Sequence, residues 1–282
     1  MNQPATASAP ASTGNLGPAF DCLALALAPR CIVEATRSDE WSVEHTGEHL
    51  PGPREDDGVL AAARRAVGDR PLAMRVSTKI PRSRGLGSSG AAFVAGTAAA
   101  LRAVGEDASP DRVFRIAAGL EGHPDQVAAS VYGGLVLIPA EGPPIRLPMH
   151  PTLRPVVAVP DVRLPTKEAR AVVPFRYPRD VVVRSLGRVA ALTAGLITGD
   201  PQMLASAHGD EIHEAPRDAI SPDVAKLIDV ARRAGALHAA RSGAGPSVLA
   251  IATVDSVDRV VSAFNEWGVD VINAPVETTG LI

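Results

Sequence analysis

The sequence predicts an α+β chain in two domains, residues 1–150 and 151–282, and three observations carry that expectation. An alternating run, Leu72 to Ile80, reads as a strand; across the glycine- and serine-rich Pro81–Ala92 it leads into an alanine-rich helical run, Ala91 to Leu101. Pro139 to Pro155 holds six prolines and Gly142, the composition of a linker, which puts the boundary near residue 150. Beyond it, strand-like Pro155–Pro160 and Val248–Ala252 bracket helical patterns at Asp180–Leu196, Pro201–Ile212 and Val224–Ala234.

Length and composition narrow the classes of function without choosing one. The 282 residues can bury one large core or two modest ones, and 46% hydrophobic content is that of an ordinary globular enzyme. A formal charge of -3, with basic residues spread along the chain, argues against nucleic acid or an anionic membrane surface as the main partner. No long apolar span and no basic-then-apolar leader stand out, so the expectation is a soluble cytoplasmic protein with no membrane partner. Two cysteines, Cys22 and Cys31, without a CxxC, suit a reducing compartment, and Cys22 is expected to pack, not react. With aromatics at 3%, the core is expected to rest on small and branched side chains.

From the amino terminus, Thr6–Pro10 starts a strand, Ser12–Pro18 is dense in turn formers, and Phe20–Leu27 is apolar. Asn15 and Asp21 flank this tight loop. Either they cap the turn and satisfy loop amides, or they contact a small molecule that carries an ammonium and a hydroxyl. Cys31–Ala35 and Trp41–His45 read as the two strands of a hairpin with Pro51–Gly58 as its exit loop. Val59–Val67 is a helix with Leu60, Ala63 and Val67 on one face and Arg64 and Arg65 toward water.

In the Pro81–Ala92 segment, Gly85 and Gly87 allow a tight turn, and Ser88 or Ser89 can cap the following helix. The free amides and positive dipole end of that helix make an anion site, although the spacing is neither GxxxxGK[ST] nor GxGxxG. A glycine-rich turn before a helix is equally often a plain connection. Next come a loop at Gly105–Asp111 and a helix from Pro110 to near Leu120. In Glu121-Gly-His-Pro-Asp125 the tight spacing and Pro124 disfavour convergence on zinc, whereas one carboxylate facing a phosphate suits magnesium. Val131–Ile138 reads as an apolar strand.

In the second half, Lys167 and Arg170 either face solvent or border a site. Asp180–Leu196 is expected to turn Val183, Leu186, Val189, Ala190 and Thr193 inward. Arg217 reads as a carboxylate clamp or a solvent-exposed helix-end charge, and Arg241 as a second clamp or a charge cap. Gly235–His238 is a short link, Val257–Trp267 a final amphipathic helix and Val269–Val276 a strand.

Four blocks in order carry a resemblance: PASTGNLGPAFDCLALAL (Pro10–Leu27), PRSRGLGSSGAA (Pro81–Ala92), EGHPDQVAASVYGGLVL (Glu121–Leu137) and RSGAGPSVLAI (Arg241–Ile251). They resemble the superfamily of small-molecule kinases that holds galactokinase, homoserine kinase, mevalonate kinase and phosphomevalonate kinase. A fifth block, LPTKEARAVVP (Leu164–Pro174), taken with NLGPAFD, resembles the homoserine kinases themselves, and the likeness runs from about Ala9 to Ile251. It implies a ribosomal-protein-like N-terminal domain, a ferredoxin-like C-terminal domain, ATP and Mg2+ as cofactors, and phosphorylation of the side-chain hydroxyl of L-homoserine. A homodimer is the implied assembly.

The resemblance also implies roles. Arg84, Gly85, Leu86, Gly87, Ser88, Ser89 and Gly90, with Gly243, face the nucleotide phosphates. Ser89 and Glu121 hold the metal and serve catalysis. Asn15, Asp21, Gln126, Thr166, Lys167, Arg217 and Arg241 face the acceptor, and no catalytic base is assigned. Three departures qualify these roles. Asp56-Asp-Gly stands where homoserine kinases carry an Asn-Leu pair near the adenine, Gln126 where they read GHPDN, and HEAPR (His213–Arg217) where they show an HEPYR-like order. Other readings are a related kinase for another small hydroxylated metabolite and a catalytically inactive nucleotide-binding homologue.

Overall fold

A computed structural model describes residues 3–47, 49–51, 57–273 and 275–282. Its first sheet is organised by a long strand. β1 (Ala5–Gly14) pairs antiparallel with β2 (Leu23–Arg37) over its whole length, with a register shift between Pro10 and Ala11. The far edge of β2 is shared: residues 31–37 pair with β4 (Leu72–Thr78) and residues 23–25 with β5 (Leu135–Leu137). β3 (Ser42–Gly47) lies outside β4, and β6 (Ile145–Leu147) outside β5. Leu23 to Leu27 are all buried, as a strand covered on both faces requires.

The expected hairpin is corrected. β3 pairs in parallel with β4, which lies between it and β2, because α1 (Gly58–Val67) crosses over from one strand to the next. The exit loop expected at Pro51–Gly58, and with it Asp56, falls in part outside the described residues; Asp57 caps α1 by accepting from the Leu60 amide.

The central helix is α2 (Ser88–Ala103), buried from Val94 through Leu101 and flanked by α1, α3 (Pro110–Glu121) and α4 (Asp125–Tyr132). Its small residues permit close approach: a Cβ on Gly96 would stand 3.0 Å from the Val59 carbonyl. Val131 and Tyr132 belong to α4, so the strand expected from Val131 begins only at Leu135, after Gly133 and Gly134 break the helix at positive φ. Part of the proline-rich segment is β6, a strand the linker composition concealed.

The second sheet is antiparallel, in the order β10 (Asp270–Asn273), β7 (Leu153–Val159), β9 (Val248–Thr253), β8 (His238–Arg241). α9 (Asp223–Arg233) and α10 (Val257–Trp267) cover it, with Leu227, Val260 and Phe264 meeting Val156, Val248 and Ala250. The remaining helices are α5 (Thr166–Ala171), α6 (Arg179–Thr198), α7 (Pro201–Ser206) and α8 (Glu214–Asp218). The expected helix to Ile212 therefore stops at Ser206, and His238 is strand, not link.

In α6 only Leu192, Gly195 and Leu196 are buried, whereas Val183 and Leu186 are 61% and 65% exposed, so the expected inward face holds only at the C-terminal end that packs on α7. By length and composition this helix also corrects the expectation of no long apolar span, although it carries Arg184 and Arg188, both paired with Glu211. The chain end returns to the first sheet: Ile282 exchanges main-chain hydrogen bonds with Ser8, and Arg30 donates to the Gly280 carbonyl at 2.6 Å.

Candidate active site

Segments from both halves of the chain meet here: Asn15 donates to the Gly243 carbonyl, and Gly85 packs against Ser242. The loop between β4 and α2 is shaped by Gly85 and Gly87, both at positive φ. A Cβ on Gly85 would come 2.0 Å from the Ser242 carbonyl oxygen, and one on Gly87 2.2 Å from Ser12 Oγ, so neither position has room for a side chain. Gly87 is the N-cap of α2, and the expected capping by a serine is corrected: Ser88 and Ser89 are helical residues and make no cap bond. The open amides of the first turn and the dipole end remain available to an anion. Leu86 turns its side chain into the core and accepts from the Ser12 amide through its carbonyl, while Arg84 is ion-paired with Asp161.

Beside this helix end, Ser89 Oγ donates to Glu121 Oε1 at 2.6 Å. Glu121 is the last residue of α3 and its side chain is mostly covered; burial raises its pKa, opposed by the Ser89 bond and the charge of His123. The His123 ring stands 3.6 Å from both Glu121 and Asp125. Burial works against its charged form, yet the Asp125 hydrogen bond and the charges of Glu121 and Asp125 outweigh it and raise the pKa.

The acceptor-side pocket is lined by Asn15, Asp21, His123, Asp125, Gln126, Thr166, Arg170, Arg217, Gly243 and Ala244, around about 10 Å³ of free space, room for one water. Asn15 and Asp21 both sit at positive φ. Asn15 donates to the Gly243 carbonyl at 2.9 Å and accepts from the Asp21 amide at 3.0 Å. The Asp21 carboxylate receives both terminal nitrogens of Arg170, at 2.5 and 3.1 Å. Arg217 is buried among neutral acceptors: Ala169 O at 2.9 Å, His213 Nδ1 at 2.8 Å and Gly243 O at 3.2 Å. Burial, then the charges of Arg241 and Arg170, push its pKa down to about 10, as for a cation that would gain from a nearby anion. Larger cavities, such as one of about 460 Å³ beside Arg232 and Arg233, bring together no comparable set of groups.

Not every expected residue reaches this pocket. Lys167 lies exposed on α5, which supplies Thr166 and Arg170 to the lining instead. Arg241 is fully buried beneath the Gly243–Gly245 turn and paired with Asp218 at 2.9 Å, so it does not line the pocket as the second clamp. Gln126 lines the pocket, but its amide nitrogen donates to the main-chain oxygen of Ser12 at 3.0 Å and leans on that of Gly85 at 3.5 Å. The extra methylene lets it tie α4 to β1 and the phosphate-side loop. In Gln126→Asn the head group falls about 1 Å short, and loss of a hydrogen bond worth about 1 kcal/mol is expected to lower kcat/KM for acceptor and nucleotide alike by roughly fivefold. Steady-state kinetics with each substrate varied checks this; a loss confined to the acceptor would mark a direct acceptor contact.

Two groups went unread in the sequence. Sequence alone leaves Arg170 between solvent and site, and its basic position within TKEAR is the available signal. His213 stands in HEAPR, where its spacing of four from Arg217 is the local signal, whereas its other partner, Gly17, is 196 residues away.

Comparison with known proteins agrees with this geometry. Family models described as GHMP kinases N terminal domain and GHMP kinases C terminal match residues 57–134 and 192–270. The chain is 39% identical over 266 residues to a homoserine kinase of Thermus thermophilus, covering 92% of this chain and 90% of that one. It is 37% identical over 278 residues to a homoserine kinase of Synechococcus sp., covering 93% and 88%. The crystal structure of homoserine kinase from Cytophaga hutchinsonii superposes with a TM-score of 0.87 at 27% identity, covering 100% of this chain and 98% of that one. With both family models matched and relatives above 30% identity over nearly the whole length, the chain belongs to the GHMP kinases, in their homoserine kinase branch.

Proposed function

We propose that this chain transfers the γ-phosphoryl group of ATP to the side-chain hydroxyl of L-homoserine, giving O-phospho-L-homoserine. One observation carries the reading: the Asp21–Arg170 pair with buried Arg217 beside it in a pocket too small to admit an acceptor without parting them. An amino-acid zwitterion compensates for that step, because its ammonium satisfies Asp21 and its carboxylate satisfies Arg170 and Arg217. A hydroxy acid without an ammonium, or a sugar, leaves the half-buried Asp21 charge without a partner. The homoserine kinase relatives support the same acceptor.

Phosphoryl transfer asks mainly for positioning and charge stabilisation. The amides at the start of α2 would hold the polyphosphate, and Asn15, Asp21, Arg170 and Arg217 would orient the acceptor. Ser89 and Glu121, two hard oxygen donors already 2.6 Å apart, fit Mg2+, which would offset charge on the phosphate oxygens when bound. Asp21 is not assigned as a base, because its carboxylate is held by Arg170 in the free site and by the acceptor's ammonium once that pair parts. A cytoplasmic homodimer belongs to the same proposal and rests on family resemblance alone.

A second reading, a related kinase for another small hydroxylated metabolite, is favoured by one observation: the Gln126 amide nitrogen is spent on main-chain carbonyls. Coupled ADP release over homoserine, threonine, serine, mevalonate and sugars decides between them. The expected result is Mg2+-dependent turnover with homoserine well above every other acceptor. A different best acceptor selects the second reading, and equal ADP release with and without every acceptor rejects the transferase.

A further inference from the structure

The segment Asn15-Leu16-Gly17 turns through three consecutive positive φ values, 69°, 50° and 89°. Two of these residues are not glycine, so the backbone pays for this shape and must be held in it from outside. Two buried histidines do so. His238 Nε2 stands 2.8 Å from the Leu16 carbonyl, and His213 Nε2 stands 2.7 Å from the Gly17 carbonyl. His213 has a second duty: its Nδ1 meets Arg217 Nη1 at 2.8 Å.

That contact determines the state of the ring. A guanidinium offers only donors, so Nδ1 must present a lone pair. The single ring proton therefore sits on Nε2 and is donated to Gly17. The network then closes on itself: Gly17 to His213, His213 to Arg217, Arg217 to the Gly243 carbonyl, and Gly243 back to Asn15 Nδ2. Phe20 lies against the His213 ring with centroids 5.0 Å apart, and the Arg217 guanidinium sits 5.5 Å from the Phe20 centroid. His213 lies opposite Asp210 at 3.7 Å and is fully buried, and burial pushes its pKa down to about 4, so the ring is neutral near pH 7.

We propose that His213 is the positioning residue of the acceptor site: as its Nε2–H tautomer it locks the Arg217 guanidinium and the Asn15–Gly17 loop into one frame. The inference rests on the reading of Arg217 as the carboxylate clamp, and it adds how the clamp is aimed. His213 does not line the acceptor-side pocket. Its effect passes through Arg217 and Gly17, so it belongs in acceptor recognition and not in nucleotide binding.

Kinetics of four purified variants test it, with melting temperatures to verify folding: His213→Leu, His213→Gln, Arg217→Met and the double variant His213→Leu/Arg217→Met. Removing an acceptor from a charged donor is expected to raise the homoserine KM by roughly 10-fold or more in His213→Leu, with the ATP KM within about twofold of wild type. His213→Gln, whose amide can both donate to Gly17 and accept from Arg217, is expected to recover most of that loss. The double variant is expected to lose less than the product of the two single losses, since part of the effect of His213 passes through that arginine. If Arg217→Met leaves the homoserine KM unchanged, the clamp reading itself falls, and the proposal with it. If Arg217→Met raises that KM but His213→Leu does not, only the positioning role is overturned. Fully additive losses, an equal rise in both KM values, or a folded His213→Gln no better than His213→Leu would likewise overturn it.

Discussion

Glu121→Gln is expected to cut kcat by roughly 100-fold or more while changing the KM for ATP by less than about threefold, an effect on the transition state more than on binding. The substitution keeps the volume of a side chain that is mostly covered, and it leaves an oxygen to accept from Ser89 Oγ, now at 2.6 Å from Oε1. What it removes is the negative charge. Burial raises the pKa of that carboxylate, and the Ser89 hydrogen bond and the charge of His123 work against the rise. A buried carboxylate with one neutral donor and a titratable neighbour 3.6 Å away has little structural reason to be charged, and an arriving divalent ion would supply one. Measuring kcat across a Mg2+ titration checks the assignment: a normal kcat at saturating Mg2+ would make Glu121 structural.

Arg217→Met is expected to lower kcat/KM for homoserine by roughly 10- to 150-fold, the range for hydrogen bonds to a charged group, with the ATP parameters nearly unchanged. Arg217 has no carboxylate within ion-pair distance among the described residues, and its three partners are carbonyls and an imidazole. Methionine fills the space of the stem but takes the Arg217 donors away from Ala169 O and His213 Nδ1, while Gly243 O keeps the Asn15 amide, so a fall in melting temperature accompanies the kinetic loss. Arg217→Lys separates the two effects, since lysine keeps the charge without the planar fork. Full activity in Arg217→Met would place the carboxylate contact on Arg170 alone.

Where the structure departs from the sequence-based expectations of the fold, the reason is packing. Sequence order suggests that the Cys31–Ala35 strand pairs with Trp41–His45, because antiparallel neighbours in sequence are the commonest arrangement, and only the α1 crossover shows that β4 comes between. The period of α6 was read as an inward face along its length, yet periodicity states which residues share a side and not whether anything packs against them. Charge and position in a motif single out Lys167 and Arg241 as site residues. Orientation within α5 and burial under the Gly243–Gly245 turn remove them from the pocket lining.

By itself the sequence determined what is local: the Pro81–Ala92 turn and its helix, where glycine spacing and helix-end amides act within a dozen residues, and the chemistry borne by Glu121, Asn15 and Asp21. Its motif blocks also determined the family. Only the tertiary structure decided which charges meet. Arg170 reaches Asp21 across 149 residues, His213 reaches Gly17 across 196, and Gln126 reaches Ser12 across 114. Hydrogen bonds depend on tenths of an ångström and on direction, and over such separations those are set by how two sheets and their helices pack, which no local pattern encodes.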